Sequence, residues 1–100
     1  MFSGKMSFKV YALYDVRCPD EILYIGKTSN YLCNRLSGHR SSARNGSQQL
    51  ICMWIREIGD ENIAIRLIDS TDNSTHVLTL ERFYIKKYSP NFNVLSNEKK

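Results

Sequence analysis

The sequence predicts a mixed α/β (α+β) domain, a small sheet covered by helices in the order β-β-α-α-β-α. Three observations carry this reading. Two short runs rich in valine, isoleucine and tyrosine, "KVYALY" and "ILYIG", flank a stretch of turn chemistry, "DVRCPDE", as in a hairpin. Three later segments carry apolar residues at helical spacing between helix stop signals. One alternating run, "NIAIRLID", lies between the second and third of those segments. A length of 100 residues allows one such domain and no second core.

The elements follow in order. Residues 1–6 read as a polar leader, 7–95 as the domain and 96–100 as a disordered basic tail. The first strand spans 9–14 and the second 22–26, with Gly26 ending it. Ser29 or Asn30 supplies the cap of a helix over 31–44. "RNGSQQ" breaks that helix, and a second over 48–59 stops at Gly59. In the third strand Ile63, Ile65 and Leu67 fall on one side. "STDNST" offers several caps for a last helix over 76–88, which Pro90 terminates, and "NFNVL" is a short extended end.

Composition excludes several classes. No apolar run approaches the ~20 residues of a membrane span, and no secretory signal pattern opens the chain. Cys18, Cys33 and Cys52 are odd in number and lack metal-type spacing, which points to free thiols in a reducing, cytoplasmic compartment and not to secretion. The net charge is +4 with a pI near 9.1. Its distribution says more than its size. Between Glu21 and Glu57 there is no acid, yet the interval holds Lys27, Arg35, Arg40, Arg44 and Arg56. A solvated basic face accounts for such a window, but so does contact with phosphates, and no carboxylate stands nearby to pair with these cations.

Candidate chemistry lies in three places. On the first helix Tyr31, Arg35 and His39 are spaced to share a face, with Leu32 and Leu36 about 100° away as its buried stripe. On the last helix Glu81 falls on a stripe with Val77, Tyr84 and Tyr88. A carboxylate in an apolar face needs an ion pair or a cation, and one carboxylate suffices for Mg²⁺ when waters and a substrate phosphate complete the octahedron. Tyr11, Tyr14 and Tyr24 lie on the first two strands, where they are either packing aromatics or phenols close enough to cations to handle a proton.

Beyond composition and spacing, the chain resembles the GIY-YIG nuclease superfamily. The first motif is degenerate, "KVY" at Lys9, Val10 and Tyr11, and the second complete, "YIG" at Tyr24, Ile25 and Gly26. "NRLSGH" and "LERFYIKKYSPNFN" follow in the expected order, so the resemblance covers residues 9–94 or so. It implies a three-stranded, largely antiparallel sheet flanked by helices and DNA cleavage with Mg²⁺ or Mn²⁺. It also implies roles: Tyr11 as general base or water-orienting phenol, Tyr24 in support, and Lys27 at the first phenol or a phosphate. Arg35 would stabilise phosphate charge, His39 would transfer a proton or contact phosphate, Glu81 would hold the metal, and Asn93 would order the site. Lys27, Arg35, Arg40 and Arg44 form the expected DNA-binding set.

Two departures bear on activity. Lys9 replaces the first motif's glycine, and the interval from Tyr24 to Arg35 is one residue longer than in many members. Unless that residue is absorbed before the helix, around Ser29 and Asn30, Arg35 turns about 100° away from the site. The chain has no length for a separate DNA-binding region, so weak specificity is expected, or specificity supplied by a partner or a second copy in a homodimer. A non-cutting nucleic-acid-binding module with the same fold is the competing reading, and a structural domain with a solvated basic face is the third.

Overall fold

The computed structural model describes residues 7–90 and 92. Strand β1 (Phe8–Asp15) is central in a three-stranded sheet of order β2-β1-β3, with β2 (Tyr24–Thr28) and β3 (Ile63–Thr71) both antiparallel to it. Helix α1 (Leu32–Arg44), helix α2 (Leu50–Ile58) and helix α3 (Ser74–Tyr88) complete the expected order, with a short 3₁₀ turn (Asp60–Asn62) before β3.

Strand pairing sorts the side chains. Tyr11 opposite Gly26 and Leu13 opposite Tyr24 point to one face, while Val10 opposite Lys27 and Ala12 opposite Ile25 point to the other. On the first face Tyr11 and Leu13 pack with Ala43 of α1, Ile51, Cys52 and Ile55 of α2, and Ile63. On the second, Val10 and Ile25 pack with Val77 of α3. The sheet is therefore covered on both sides, which explains why β1 reads as continuously buried from Val10 to Leu13.

Several expected boundaries shift. Ile22 and Leu23 precede β2 instead of opening it, and Gly26 lies inside the strand rather than at its end, because its pairing with Tyr11 continues to Lys9 opposite Thr28. Tyr31 is the N-cap of α1 and makes no side-chain cap, so neither Ser29 nor Asn30 plays that part. Helix α2 begins at Leu50, two residues after the expected start. In β3 Ile63, Ile65 and Leu67 face the Tyr11 side as expected, although Leu67 is 52% exposed; a one-residue slip between Val10 and Tyr11 then brings Asp69 opposite Val10, and Ile68 packs on the α3 side. The last helix starts earlier than expected, at Ser74. Asn73 caps it, its Oδ1 accepting from the backbone N–H groups of Thr75 and His76 at 2.8 and 2.9 Å. Asn73→Ala should cost about 1 kcal/mol, read as a lower urea midpoint. An unchanged midpoint would mean that packing alone holds this end of α3. Of the expected extended end, Phe92 packs on Trp54 and donates its backbone N–H to Leu23, while residues 93–100, Asn93 included, lie outside the described residues, as do 1–6.

Candidate active site

Tyr11 stands at the centre of the sheet with its side chain wholly buried, and its hydroxyl meets two elements. From β2, Gly26 faces the ring so closely that a Cβ built there would lie 2.6 Å from Tyr11 Cζ and nearer still to the oxygen. From α1, Arg35 Nε donates to the phenol oxygen at 3.1 Å. One turn later, His39 Nε2 lies 3.0 Å from the same oxygen. Since Arg35 donates, the phenol's one hydrogen goes to Nε2, the only other hydrogen-bond partner it has among the described residues, and this places the His39 proton on Nδ1. Tyr24 completes the group, its ring centroid 6.4 Å from Tyr11 and 5.5 Å from His39.

Burial dominates the titration behaviour here. It pushes the Tyr11 phenol up to about 12; the Tyr24 phenol adds to the rise, and the Arg35 charge and hydrogen bond only partly oppose it. Tyr24 is raised for the same first reason. His39 is pushed down to about 4 by burial and then by the Arg35 cation, so it is neutral at pH 7 and able to accept a proton. Because its folded value lies below the 6.5 of a free histidine, the unfolded chain binds the extra proton first as pH falls. Stability is therefore full above about pH 6.5 and drains away towards pH 4, by a few kcal/mol at most. Urea midpoints of the wild type should drop between pH 7 and pH 4.5 more steeply than those of His39→Asn. Parallel curves would exclude His39 as the source.

Glu81 is half-buried on α3, the helix whose Val77 packs on the other face of the sheet from Tyr11. Among the described residues it makes no hydrogen bond or ion pair, and the expected alternative of an arginine salt bridge is not formed there. Burial raises its carboxyl, with the charges of Lys27 and Arg82 pulling the other way. Its own charge in turn makes a small contribution to raising Tyr11 and Tyr24. Among the described residues no three histidine, cysteine or acidic side chains gather to hold a metal. An underpaired, half-buried carboxylate beside one lysine fits a hard cation that takes its remaining ligands from water and phosphate, and fits no soft or structural metal site.

The longer interval before Arg35 is accommodated. Ser29 and Asn30 form a bend between β2 and Tyr31, and Arg35 still reaches Tyr11. Lys9 reaches the same bend, donating from Nζ to the Asn30 carbonyl at 3.2 Å, so the residue that replaced the motif glycine holds the lengthened connection. Sequence reading missed this link, since nothing local relates positions 9 and 30. It also placed Tyr31 on the Arg35 face, whereas Tyr31 precedes the helix and is 74% exposed. Leu32 and Leu36 are only partly buried against the core; the buried residues of α1 are His39 and Ala43.

The remaining arginines have partners distant in sequence. Arg40 donates to the carbonyls of Asp60 and Ile63 at 2.8 and 3.0 Å, and Arg44 pairs with the Asp60 carboxylate at 2.6 Å. Arg56 donates to the Ala43 carbonyl at 2.8 Å. These three tie the end of α1 to α2 and to the turn before β3. Cys18 and Cys33 are exposed, Cys52 is buried, and all three are free thiols.

Comparison with known proteins places this geometry. UvrABC system protein C of Prochlorococcus marinus (strain NATL1A) is 37% identical over 83 residues, 81% of this chain and 12% of that protein. The protein of the same name from Shewanella baltica (strain OS155 / ATCC BAA-1091) is 32% identical over 91 residues, 91% of this chain and 13% of that protein. That of Shewanella sp. (strain ANA-3) is 34% identical over 92 residues, again 91% and 13%. The chain thus spans only about an eighth of the length of these curated relatives. No solved structure matches it significantly. The family model described as the UvrC-like GIY-YIG domain matches residues 9–94, from the degenerate first motif to the residue after Asn93, and on that match the chain belongs to the UvrC-like GIY-YIG domain family of the GIY-YIG superfamily.

Proposed function

We propose that this domain is a metal-dependent DNA endonuclease that hydrolyses a phosphodiester bond. The observation that carries the reading is the buried line Arg35–Tyr11–His39, with hydrogen bonds of 3.1 and 3.0 Å, in a chain of the GIY-YIG superfamily. A mere binding module has no use for a phenol buried between a cation and a neutral imidazole. Domains of this kind act on DNA, and no helix among the described residues is long and apolar enough to cross a membrane.

A phenol raised to about 12 is no free phenolate at neutral pH. Tyr11, wholly buried in the resting structure, therefore works as a relay once substrate binding admits water to its oxygen: as that oxygen takes a proton from the attacking water, its own proton passes to His39 Nε2. Arg35 orients the phenol in the resting state and places a guanidinium where charge builds on the phosphate oxygens. Tyr24 walls the pair, and Lys27 adds a phosphate contact beside Glu81. Glu81 would hold Mg²⁺ or Mn²⁺; the ion supplies charge neutralisation at the phosphate and a more acidic water. For Asn93, outside the described residues, the resemblance implies a part in ordering the site. We assign Arg40 and Arg44 to holding α1 in place, since their guanidinium groups are engaged with the turn before β3. With one site per chain, a single copy nicks, and cutting both strands takes a second copy or a second event; target choice would come from a partner protein or such a homodimer.

The test is conversion of supercoiled plasmid to the nicked form with Mg²⁺ or Mn²⁺ and with EDTA. Nicking should require the metal, and Glu81→Gln should need at least about tenfold more of it while binding DNA normally in EDTA. Salt-sensitive DNA binding without cleavage of plasmid, branched or single-stranded DNA would favour the non-cutting module instead.

A further inference from the structure

The site described above uses Glu81 but leaves the rest of α3's solvent side unexplained. Phe83 is 55% exposed and Tyr88 42%, large values for aromatic side chains on a helix. Lys87 Nζ stands between them, 6.0 Å from the Phe83 ring centre and 5.5 Å from that of Tyr88. Tyr84 stacks on Tyr88 at 6.1 Å with the rings 14° from parallel, and Phe83 meets Tyr84 edge-on at 5.0 Å. The row continues onto the sheet, where Arg66 lies over the Tyr14 ring at 5.0 Å. After Glu81, α3 carries Arg82, Lys86 and Lys87 and no acid.

A hollow of about 370 Å³ joins these parts, bounded by Tyr88, Arg66, Ile22, Asp20 and Glu21. Its contents match a nucleobase. Tyr88 offers a ring to stack on, Arg66 a planar donor, and the two carboxylates acceptors for the exocyclic amino groups of cytosine or adenine. The same carboxylates repel phosphate, so the strand's backbone must run on the Lys86–Lys87 side. Tyr88 follows Glu81 by seven residues, about 10 Å along nearly the same line of the helix. A strand leaving Glu81 thus arrives on the row within a few nucleotides.

We propose that the outer side of α3, with Arg66 and Tyr14 beside it, is a stacking platform for the unpaired bases of a single-stranded nucleic-acid segment. This goes beyond the nuclease reading and stands whether or not the chain cuts. It makes DNA with a frayed, flapped or unwound segment next to the scissile bond the preferred ligand over a continuous duplex.

The experiment is fluorescence anisotropy in EDTA, with a short labelled oligodeoxycytidylate and a blunt duplex of equal length. Without metal the result is independent of cleavage. Phe83→Ala and Tyr88→Ala should each weaken single-strand binding by about tenfold, the size of one lost base stack, and barely change duplex binding. Phe83→Trp should bind the single strand as well as the wild type. Phe83 is exposed enough for its variants to fold, so they decide the matter even if Tyr88→Ala does not. Unchanged single-strand affinity, or an equal loss on both probes, would overturn the platform. So would a wild-type dimer that Phe83→Ala dissociates with no change in single-strand affinity, since the row would then be a contact between copies.

Discussion

Tyr11→Phe is expected to lower metal-dependent nicking by about 10²- to 10⁴-fold, the range assigned to a positioned proton-transfer group. The substitution removes one oxygen and leaves the ring, so the core around β1 keeps its shape. What it removes is the atom that Arg35 and His39 share. Both lose a partner inside the protein, and His39 is almost fully buried, so a stability loss of about 1–3 kcal/mol accompanies the loss of activity. The two effects separate at low temperature, where the variant is folded and binds plasmid but does not nick it. His39→Asn, in contrast, leaves the phenol in place and should reduce the rate less at high pH than at neutral pH, because hydroxide then relieves the need for an internal proton acceptor. Near-normal nicking by Tyr11→Phe would remove Tyr11 from the chemistry and leave it a packing residue.

Gly26→Ala is expected to damage both fold and activity, although it adds a single methyl group. That methyl would stand 2.6 Å from Tyr11 Cζ, inside any contact carbon atoms tolerate. Neither neighbour can yield easily. Gly26 is in the paired centre of β2, and the ring is held from the far side by α1. Overpacking of this kind costs about 1–3 kcal/mol, and here relief comes only by moving the phenol off Arg35 and His39. The urea midpoint should fall and nicking should fall with it, and a double variant that also carries Tyr11→Ala should lose less stability than the sum of the two single losses, with no return of cleavage. If Gly26→Ala were as stable as the wild type, the close approach of β2 to the ring would not be a constraint on the fold.

Much of this arrangement was legible beforehand, for identifiable reasons. The sheet and helix order followed from apolar periodicity and turn residues, which act locally. The motif residues pointed to Tyr11, Tyr24, Lys27, Arg35, His39, Glu81 and Asn93 as a set; the structure brings Tyr11, Tyr24, Arg35 and His39 together and Lys27 within range of the Glu81 charge, while Asn93 lies outside the described residues. What escaped depends on sequence-distant pairing. Asp60 lies 16 residues beyond Arg44 and outside the acid-free window, so that window did not mean that every arginine in it lacked a carboxylate. Gly26 reads as a strand end because glycine usually is one, whereas it is placed inside β2 by the size of the ring opposite. The one-residue slip that sets Asp69 opposite Val10 is a property of two strands together and leaves no mark in either alone.

The way Arg40 and Arg56 are held has a kinetic meaning. Both guanidinium groups end on backbone carbonyls, which orient a cation without cancelling it. Their charge still adds to the potential around α1 and α2, although some of their donors are occupied. For a polyanion approaching from solution, they act before contact and not after it: they quicken encounter at low ionic strength and fade as salt shortens the range of the field, while the lifetime of the complex is set by the residues left free to touch phosphate.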